Sequence, residues 1–347
     1  MSVWSVEGLA SHVDGFRLGP IDLDLRPGHA VAVLGSSGAG KTTLLRTLAG
    51  FVPADAGRVV RDGVDLTDRP PEERALGYVP QGLGLFPHRT VERNVTYPLE
   101  LRGVTDALER TRPLLERFRL TAIARRYPTR LSGGELERTA IARALAAEPE
   151  LIAWDEPWQA LDVEARYELG RVFEELRETA EVPVVVVTHD PSLAFAVADS
   201  FLVLRAGRVG LRGDATALLE NPADAFTARF IGFENVFDRA TLEAGPARSF
   251  TAWLRERAGP EGIAFGRPEV VPSTGLTGAW EGVVRSARPT PDGLAVTVVV
   301  DALSVALRMP LPLSAPVPSV RAPLRFTVDE KNLHPLGPVG LSSTDHP

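Results

Sequence analysis

Gly35-Ser36-Ser37-Gly38-Ala39-Gly40-Lys41-Thr42-Thr43 sets two glycines, a lysine and a threonine in the order G-x-x-x-x-G-K-T. Glycines at this spacing let backbone N–H groups converge on phosphate oxygens, and a helix start adds partial positive charge. The apolar run Val31-Ala32-Val33-Leu34 predicts a buried strand before the loop. Thr43-Leu44-Leu45-Arg46-Thr47-Leu48-Ala49 predicts the first turns of a helix after it. A phosphate-binding loop needs strand and helix in these places. There Lys41 bridges the outer phosphates as a point charge, and the Thr42 hydroxyl ligates Mg²⁺. Of the 38 lysines and arginines only Lys41 and Lys331 are lysine, so a compact ammonium is kept where a planar guanidinium fork would not fit. The loop predicts a nucleoside triphosphate site.

Four further groups follow in fixed order. Tyr78-Val79-Pro80-Gln81 lies about forty residues beyond the loop. Leu131-Ser132-Gly133-Gly134-Glu135 stands directly ahead of a helical segment with Arg138-Thr139-Ala140-Ile141-Ala142-Arg143-Ala144-Leu145. Asp155-Glu156-Pro157 closes the apolar run Leu151-Ile152-Ala153-Trp154, with Ala160-Leu161-Asp162 behind it, and Thr188-His189-Asp190 comes last. A guanine-reading Asn-Lys-x-Asp segment is ruled out, since the second lysine reads Lys331-Asn332-Leu333. Singly each group is an ordinary turn. Together, in this order, they resemble the nucleotide-binding subunit of an ATP-binding-cassette (ABC) transporter over residues 1 to about 232.

The chemistry distributes residue by residue. Asp155 ends a strand beside the loop, where its carboxylate can hold the water shell of the Mg²⁺ carried by Thr42. Glu156 is placed to accept a proton from the attacking water. The apolar run before them and Pro157 after them put both at a strand's carboxyl end, where α/β sheets build their sites. Gln81 can reach the metal and the water, and His189 can bond the γ-phosphate and orient Glu156. Ser132, Gly133 and Gly134 begin a helix and form a second anion cradle. The resemblance implies that this cradle closes over ATP held by the opposite subunit of a homodimer, with Asp162 across the interface, and that Gln81 links the site to a membrane permease.

Three positions depart from the family pattern. Glu135 stands where the signature usually has Gln, and would add negative charge near the phosphates. Trp154 replaces an aliphatic residue. The aromatic that stacks on adenine is replaced in register by His12, with Phe16 nearby in Gly15-Phe16-Arg17-Leu18; either ring could stack, and Phe16 could equally be a core strand residue.

The chain of 347 residues, 44% apolar, has room for two domains with cores. Strands and helices alternate to about residue 232, which predicts a largely parallel sheet covered by helices. Glu164–Ala180 reads as one of those helices, and the resemblance implies that 82–130 is a helical subdomain that, with Gln81, receives the permease. Beyond Phe233 the texture turns to Pro, Gly, Val and Arg with alternating runs at Leu294–Val300 and Leu303–Leu307, which predicts a small all-β domain over 233–347. The predicted fold class is therefore α/β, a P-loop NTPase cassette followed by an OB-like β domain. Phe233-Glu234-Asn235, Gly266-Arg267-Pro268-Glu269 and the segment from Gly278 to Leu336 resemble the C-terminal extension of the importer branch. Within it Gly15-Phe16-Arg17-Leu18-Gly19-Pro20-Ile21 and Phe233-Glu234-Asn235 resemble most the molybdate, tungstate and sulfate subgroup, beside iron, thiamine, polyamine and sugar importers. That extension would dimerise or sense a ligand.

Net charge of −7 disfavours a nucleic-acid partner held by bulk electrostatics, and the absence of cysteine excludes disulfides and thiolate metal sites. No apolar run approaches a bilayer span, and the first residues lack an export signal. The resemblance implies ATP and Mg²⁺ as cofactors, and a seat on the cytoplasmic face of the membrane through the permease. It also implies an extracytoplasmic solute-binding protein acting indirectly. A non-transport ABC ATPase would carry paired cassettes, coiled-coil insertions or basic arms, none of which is present. A regulatory module whose β domain senses an oxyanion is the other alternative.

Overall fold

A computed structural model describes residues 2–157, 166, 170–171, 173–174, 182–220, 222–246, 249–266, 280–290, 293–310, 319–321, 323–328 and 330–337. The chain forms two compact units, Met1–Ala215 and Thr216–Pro347. Residues 216–232, which the sequence reading places with the first domain, therefore pack with the second. The reason is apolar: Ala228 of the helix Ala225–Phe230 is buried in a cluster with Val236, Ala264 and Leu336.

The first unit contains two sheets. β1 (Trp4–Val13) and β2 (Phe16–Leu25) form an antiparallel hairpin, extended by β4 (Ala56–Arg61) and β5 (Val64–Asp65) in the order β2-β1-β4-β5. The second sheet runs β10-β9-β3-β8-β7-β6, built from β3 (Ala30–Gly35), β6 (Leu76–Val79), β7 (Leu151–Asp155), β8 (Val184–Thr188), β9 (Ser200–Arg205) and β10 (Arg208–Gly213). All its pairs are parallel except β9 with β10. Every residue of β3, β7 and β8 is buried, as strands covered on both faces must be. Register Leu34↔Thr188 and Asp155↔Val187 brings Gly35, Asp155 and Thr188 to one edge of the sheet, at the carboxyl ends of adjacent strands.

Helix α1 (Lys41–Leu48) leaves that edge. The buried Arg74 guanidinium holds its far end, donating from Nη1 to Thr47 O at 2.9 Å and Leu48 O at 2.8 Å. A cation at the carbonyl end of a helix opposes its dipole and satisfies orphan acceptors. The β9–β10 turn, with Ala206 and Gly207 both at positive φ, is of the kind whose twist suits a hairpin. Gly207 N donates to Ala39 O at 2.9 Å, which ties this turn to the phosphate loop.

Helices α2 (Val91–Leu101), α3 (Ala107–Arg117) and α4 (Gly133–Ala146) pack together between β6 and β7 in the sequence. Buried Asn94 binds the loop ahead of α2, donating to the carbonyls of Phe86, Arg89 and Thr90 and accepting from Phe86 N at 2.8 Å. Arg143 of α4 donates to Gly84 O at 2.7 Å and Leu83 O at 2.8 Å, so the loop after Gln81 is fastened to the helix that Ser132 starts. Of the helix expected over 164–180, the described residues 166, 170–171 and 173–174 are helical.

In the second unit β11 (Asn235–Asp238), β12 (Gly262–Phe265) and β17 (His334–Leu336) form one antiparallel sheet. β13 (Trp280–Thr290), β14 (Gly293–Val300), β15 (Leu303–Pro310) and β16 (Pro323–Phe326) form another, in the order β15-β14-β13-β16. Short helices at Arg239–Glu243 and Phe250–Arg257 accompany these strands, and their Leu242, Phe250 and Leu254 enter the same core as Val296, Val298 and Val305. Asn235, fully buried, joins the two sheets: Nδ2 donates to Gly266 O at 2.7 Å and Ala306 O at 3.0 Å, and Oδ1 accepts from Ala306 N. Arg267-Pro268-Glu269, Gly278 and Ala160-Leu161-Asp162 lie outside the described residues.

Candidate nucleotide and catalytic site

The phosphate loop follows β3 directly and ends at Gly40, the residue before α1, whose φ of 104° suits glycine. A side chain there would also run into the Phe16 ring and Leu18. A cleft of 280 Å³ opens at this point, lined by Val13, Phe16 and Gly38 through Thr43. His12, by contrast, is exposed on β1, one residue before Val13. Side chains alternate along a strand, so when Val13 faces the cleft His12 turns away. Among the described residues, Val13 and Phe16 line the cleft beside the loop, and His12 is not among its lining.

Lys41 is buried, its Nζ donating to Gly35 O at 2.8 Å and Ser36 O at 3.1 Å and standing 3.6 Å from Glu156 Oε1. The ammonium spans the loop's own carbonyls and the acid beyond β7. Phosphate oxygens, as multiple strong acceptors, can replace these partners. Thr42 Oγ1 donates to Asp155 Oδ1 at 3.2 Å, and the Tyr78 hydroxyl to Asp155 Oδ2 at 3.3 Å. Burial pushes the Asp155 carboxyl above the usual range and Glu156 adds to this, while the bond from Thr42 opposes it. Burial likewise pushes the Tyr78 hydroxyl up, and Asp155 reinforces that.

Glu156 has φ 51°, a left-handed conformation that costs a non-glycine residue of order 1 kcal/mol and gathers at functional sites. Its N–H donates to Val187 O at 2.9 Å, so the backbone is held there by the neighbouring strand. The carboxylate is buried against Lys41 on one oxygen and His189 on the other, with His189 Nδ1 2.9 Å from Oε2. Gln81 lies in an exposed turn two residues beyond β6, and Val79 pairs with Trp154, so it stands at the same sheet edge as Asp155.

Ser132 caps α4. Its Oγ accepts from Glu135 N at 3.3 Å, and the Glu135 carboxylate accepts from Ser132 N at 2.7 Å. This reciprocal box gives the acidic departure from the family pattern a local use that the sequence reading, concerned with phosphate repulsion, did not see. Trp154 is fully buried and stacks on Phe173, with ring centroids 5.8 Å apart. Burial pushes the Glu137 carboxyl on α4 up to about 8, and the Trp154 indole draws it partly back. Neither Tyr78 nor Glu137 was singled out for chemistry. A polar residue at an apolar position of a helix was the visible signal for Glu137, and nothing in sequence spacing marks the Tyr78 contact.

Strand, glycine loop, helix and paired carboxylates at one sheet edge define a P-loop ATP-binding cassette. A family model described as ABC transporter matches residues 18–159. The chain is 40% identical over 258 residues to the sulfate/thiosulfate import ATP-binding protein CysA of Thermosynechococcus vestitus, covering 73% of this chain and 77% of that protein. It is 35% identical to the molybdate/tungstate import ATP-binding protein WtpC of Pyrococcus horikoshii, over 82% of this chain and 81% of the other. It is 43% identical to the Fe(3+) ions import ATP-binding protein FbpC of Streptomyces avermitilis, over 72% of each. An ATP-binding cassette solved as a dimer in a post-hydrolysis state, with ADP and phosphate, matches at TM-score 0.54 and 27% identity, over 61% of this chain and 98% of that one. The chain belongs to the ABC transporter family. It is an ATP-binding, ATP-hydrolysing subunit of an ABC importer.

Proposed function

We propose that two copies of this chain bind two ATP molecules head to tail and close over them, driving a membrane permease, and that hydrolysis reopens the pair. The observation that supports this most is the arrangement at the β7 edge: Thr42 on Asp155, and Lys41 and His189 on Glu156. Glu156 accepts the proton of the attacking water, His189 orients it, and Lys41 passes from Glu156 to the phosphates when nucleotide enters. Ser132, Gly133 and Gly134 of one copy cradle the γ-phosphate held by Ser36, Ser37, Gly38, Ala39, Gly40 and Thr43 of the other. Phe16 stacks on adenine. Gln81, at the edge beside Asp155, reports the site's state to the permease.

Among the described residues no three His, Cys, Asp or Glu side chains are grouped to hold a metal by themselves. A hydroxyl and one carboxylate beside a phosphate loop nevertheless fit Mg²⁺, which is commonly held by one or two carboxylates with substrate phosphates. Thr42 and Asp155 would hold it, with Gln81 within reach, and the ion would neutralise charge on the transferring phosphoryl group.

No described helix is long and apolar enough to cross a membrane, so the permease would have to supply the pathway and hold this subunit on the cytoplasmic face. A solute-binding protein would deliver solute on the far side. The solute is an oxyanion such as sulfate, molybdate or tungstate, in keeping with the relatives from Thermosynechococcus and Pyrococcus. Ferric iron is the second reading, favoured by the Streptomyces relative. The first unit, Met1–Ala215, serves as the cassette, with its helical subdomain at about 82–130, and the second serves dimerisation or ligand sensing.

The closed pair is tested with a chain free of native cysteine. Ser36→Cys and Ser132→Cys are made in separate chains that also carry Glu156→Gln, mixed, and treated with a short bis-thiol reagent, since a direct disulfide needs Cα atoms within about 7 Å. Crosslinked heterodimer should form with ATP and Mg²⁺ and hardly at all without nucleotide. Equal yield in both conditions, or none in either, would refute the sandwich. Uptake of labelled sulfate, molybdate and ferric iron by cells lacking the chain separates the two solute readings.

A further inference from the structure

Asp155 is 2% exposed, and each of its carboxylate oxygens has its own donor: Thr42 Oγ1 at Oδ1 and the Tyr78 hydroxyl at Oδ2. Tyr78 sits on β6 opposite Ala153 of β7, two residues before Asp155, so its ring stands alongside the strand that carries the acid. The ring packs against the core of the first unit and meets Phe51 with centroids 5.4 Å apart at 55°. Phenylalanine would fill the same space. What the phenol adds is a donor at Oδ2, and two donors on opposite oxygens prevent the carboxylate from rotating about its Cβ–Cγ bond.

We propose that Tyr78 is a positioning residue for the metal step of this site, its hydroxyl holding Asp155 so that the opposite oxygen faces the divalent cation bound with ATP at Thr42. Partners of this kind behind a metal-binding carboxylate typically change metal affinity by about 10–100-fold when removed. The inference rests on the assignment of Asp155 to the metal side of the site.

The test uses the full chain, Tyr78→Phe and Asp155→Asn, with Mn²⁺ as the probe. Binding of Mn²⁺ with a non-hydrolysable ATP analogue is followed by electron paramagnetic resonance, and affinity for the same analogue in EDTA is measured separately. Tyr78→Phe should weaken the Mn²⁺-dependent complex by about tenfold or more and leave the metal-free affinity unchanged. Asp155→Asn should weaken the metal complex at least as much. If Asp155→Asn weakens it and Tyr78→Phe matches wild type, the positioning role is wrong while the assignment of Asp155 stands. If Asp155→Asn also binds Mn²⁺ normally, the assignment falls and takes the inference with it. Equal loss of metal-free and metal-dependent affinity in Tyr78→Phe would make the residue a support of the fold, and would likewise overturn the proposal.

Discussion

His189 holds Glu156 twice through one oxygen: ring Nδ1 stands 2.9 Å from Oε2, and the His189 backbone N–H donates to the same atom at 3.3 Å. The other oxygen faces Lys41 at 3.6 Å. An acid so held is oriented at both oxygens. Replacing Glu156 with Gln preserves the shape and removes the proton acceptor. Glu156→Gln should therefore retain ATP binding and lose about 10²–10⁴-fold in turnover. Steady-state hydrolysis within a few-fold of wild type would count against the base.

Lys41→Ala should act at an earlier step. Its ammonium is the buried positive charge on the loop, already bridging the Gly35 and Ser36 carbonyls. Without it the phosphates lose a charge-assisted partner. An ATP isotherm should show weakened affinity, in contrast to Glu156→Gln. An unchanged isotherm would remove Lys41 from the phosphate site.

Phe16 lines the cleft and packs on Gly40, whereas His12 is exposed. Base–aromatic stacking is worth about 1–3 kcal/mol by alanine substitution, at least about fivefold in affinity. Phe16→Leu should weaken ATP binding on that scale, and His12→Ala should leave it within about twofold. The reverse order, read by titration with a fluorescent ATP analogue, would restore the register-based assignment.

Burial raises the Glu137 carboxyl from 4.5 to about 8 in the folded chain. Between those values the folded state binds more protons than the unfolded state, so Glu137's contribution to stability falls as pH rises through the window. It is fully present below about pH 4.5 and lost above about pH 8. Glu137→Gln keeps a neutral group of the same size. Melting temperature of the wild type relative to Glu137→Gln should thus drop between pH 5.5 and pH 8.5, values chosen to lie inside and just past that window. A constant difference would mean that Glu137 is already ionised at the lower pH.

The Ser132–Glu135 box predicts that Glu135→Gln is nearly silent for stability, because Gln can also accept from Ser132 N. Glu135→Ala leaves that N–H to solvent and should cost about 0.5–1 kcal/mol in thermal or denaturant unfolding. If Glu135→Gln instead raises ATP-dependent dimerisation strongly, the carboxylate does repel the phosphates, as its charge alone suggests.

Much of this protein was legible in the chain because its chemistry is local. A phosphate loop works through consecutive backbone groups, so Gly35 to Thr43 announce it with no knowledge of what lies around them. The paired carboxylates at 155 and 156 could be placed because an apolar run of strand length ends on them, and Leu151–Asp155 is indeed a buried strand. The hairpin of β9 and β10 is equally local, set by the tight turn Ala206-Gly207 after the apolar run Phe201-Leu202-Val203-Leu204. Other features depend on which elements become neighbours. Tyr78 meets Asp155 only because β6 pairs with β7, and Lys41 reaches Glu156 only because β3 and β7 both border β8. That Val13 rather than His12 lines the cleft could not be told by counting along the chain, which does not say which side of a twisted strand faces it. The seam at 215/216 was equally hidden: Ala228 chose its core by packing on Val236, Ala264 and Leu336, the last more than a hundred residues away. Spacing along the chain determined the candidate catalytic residues, and strand pairing decided which side chain holds which.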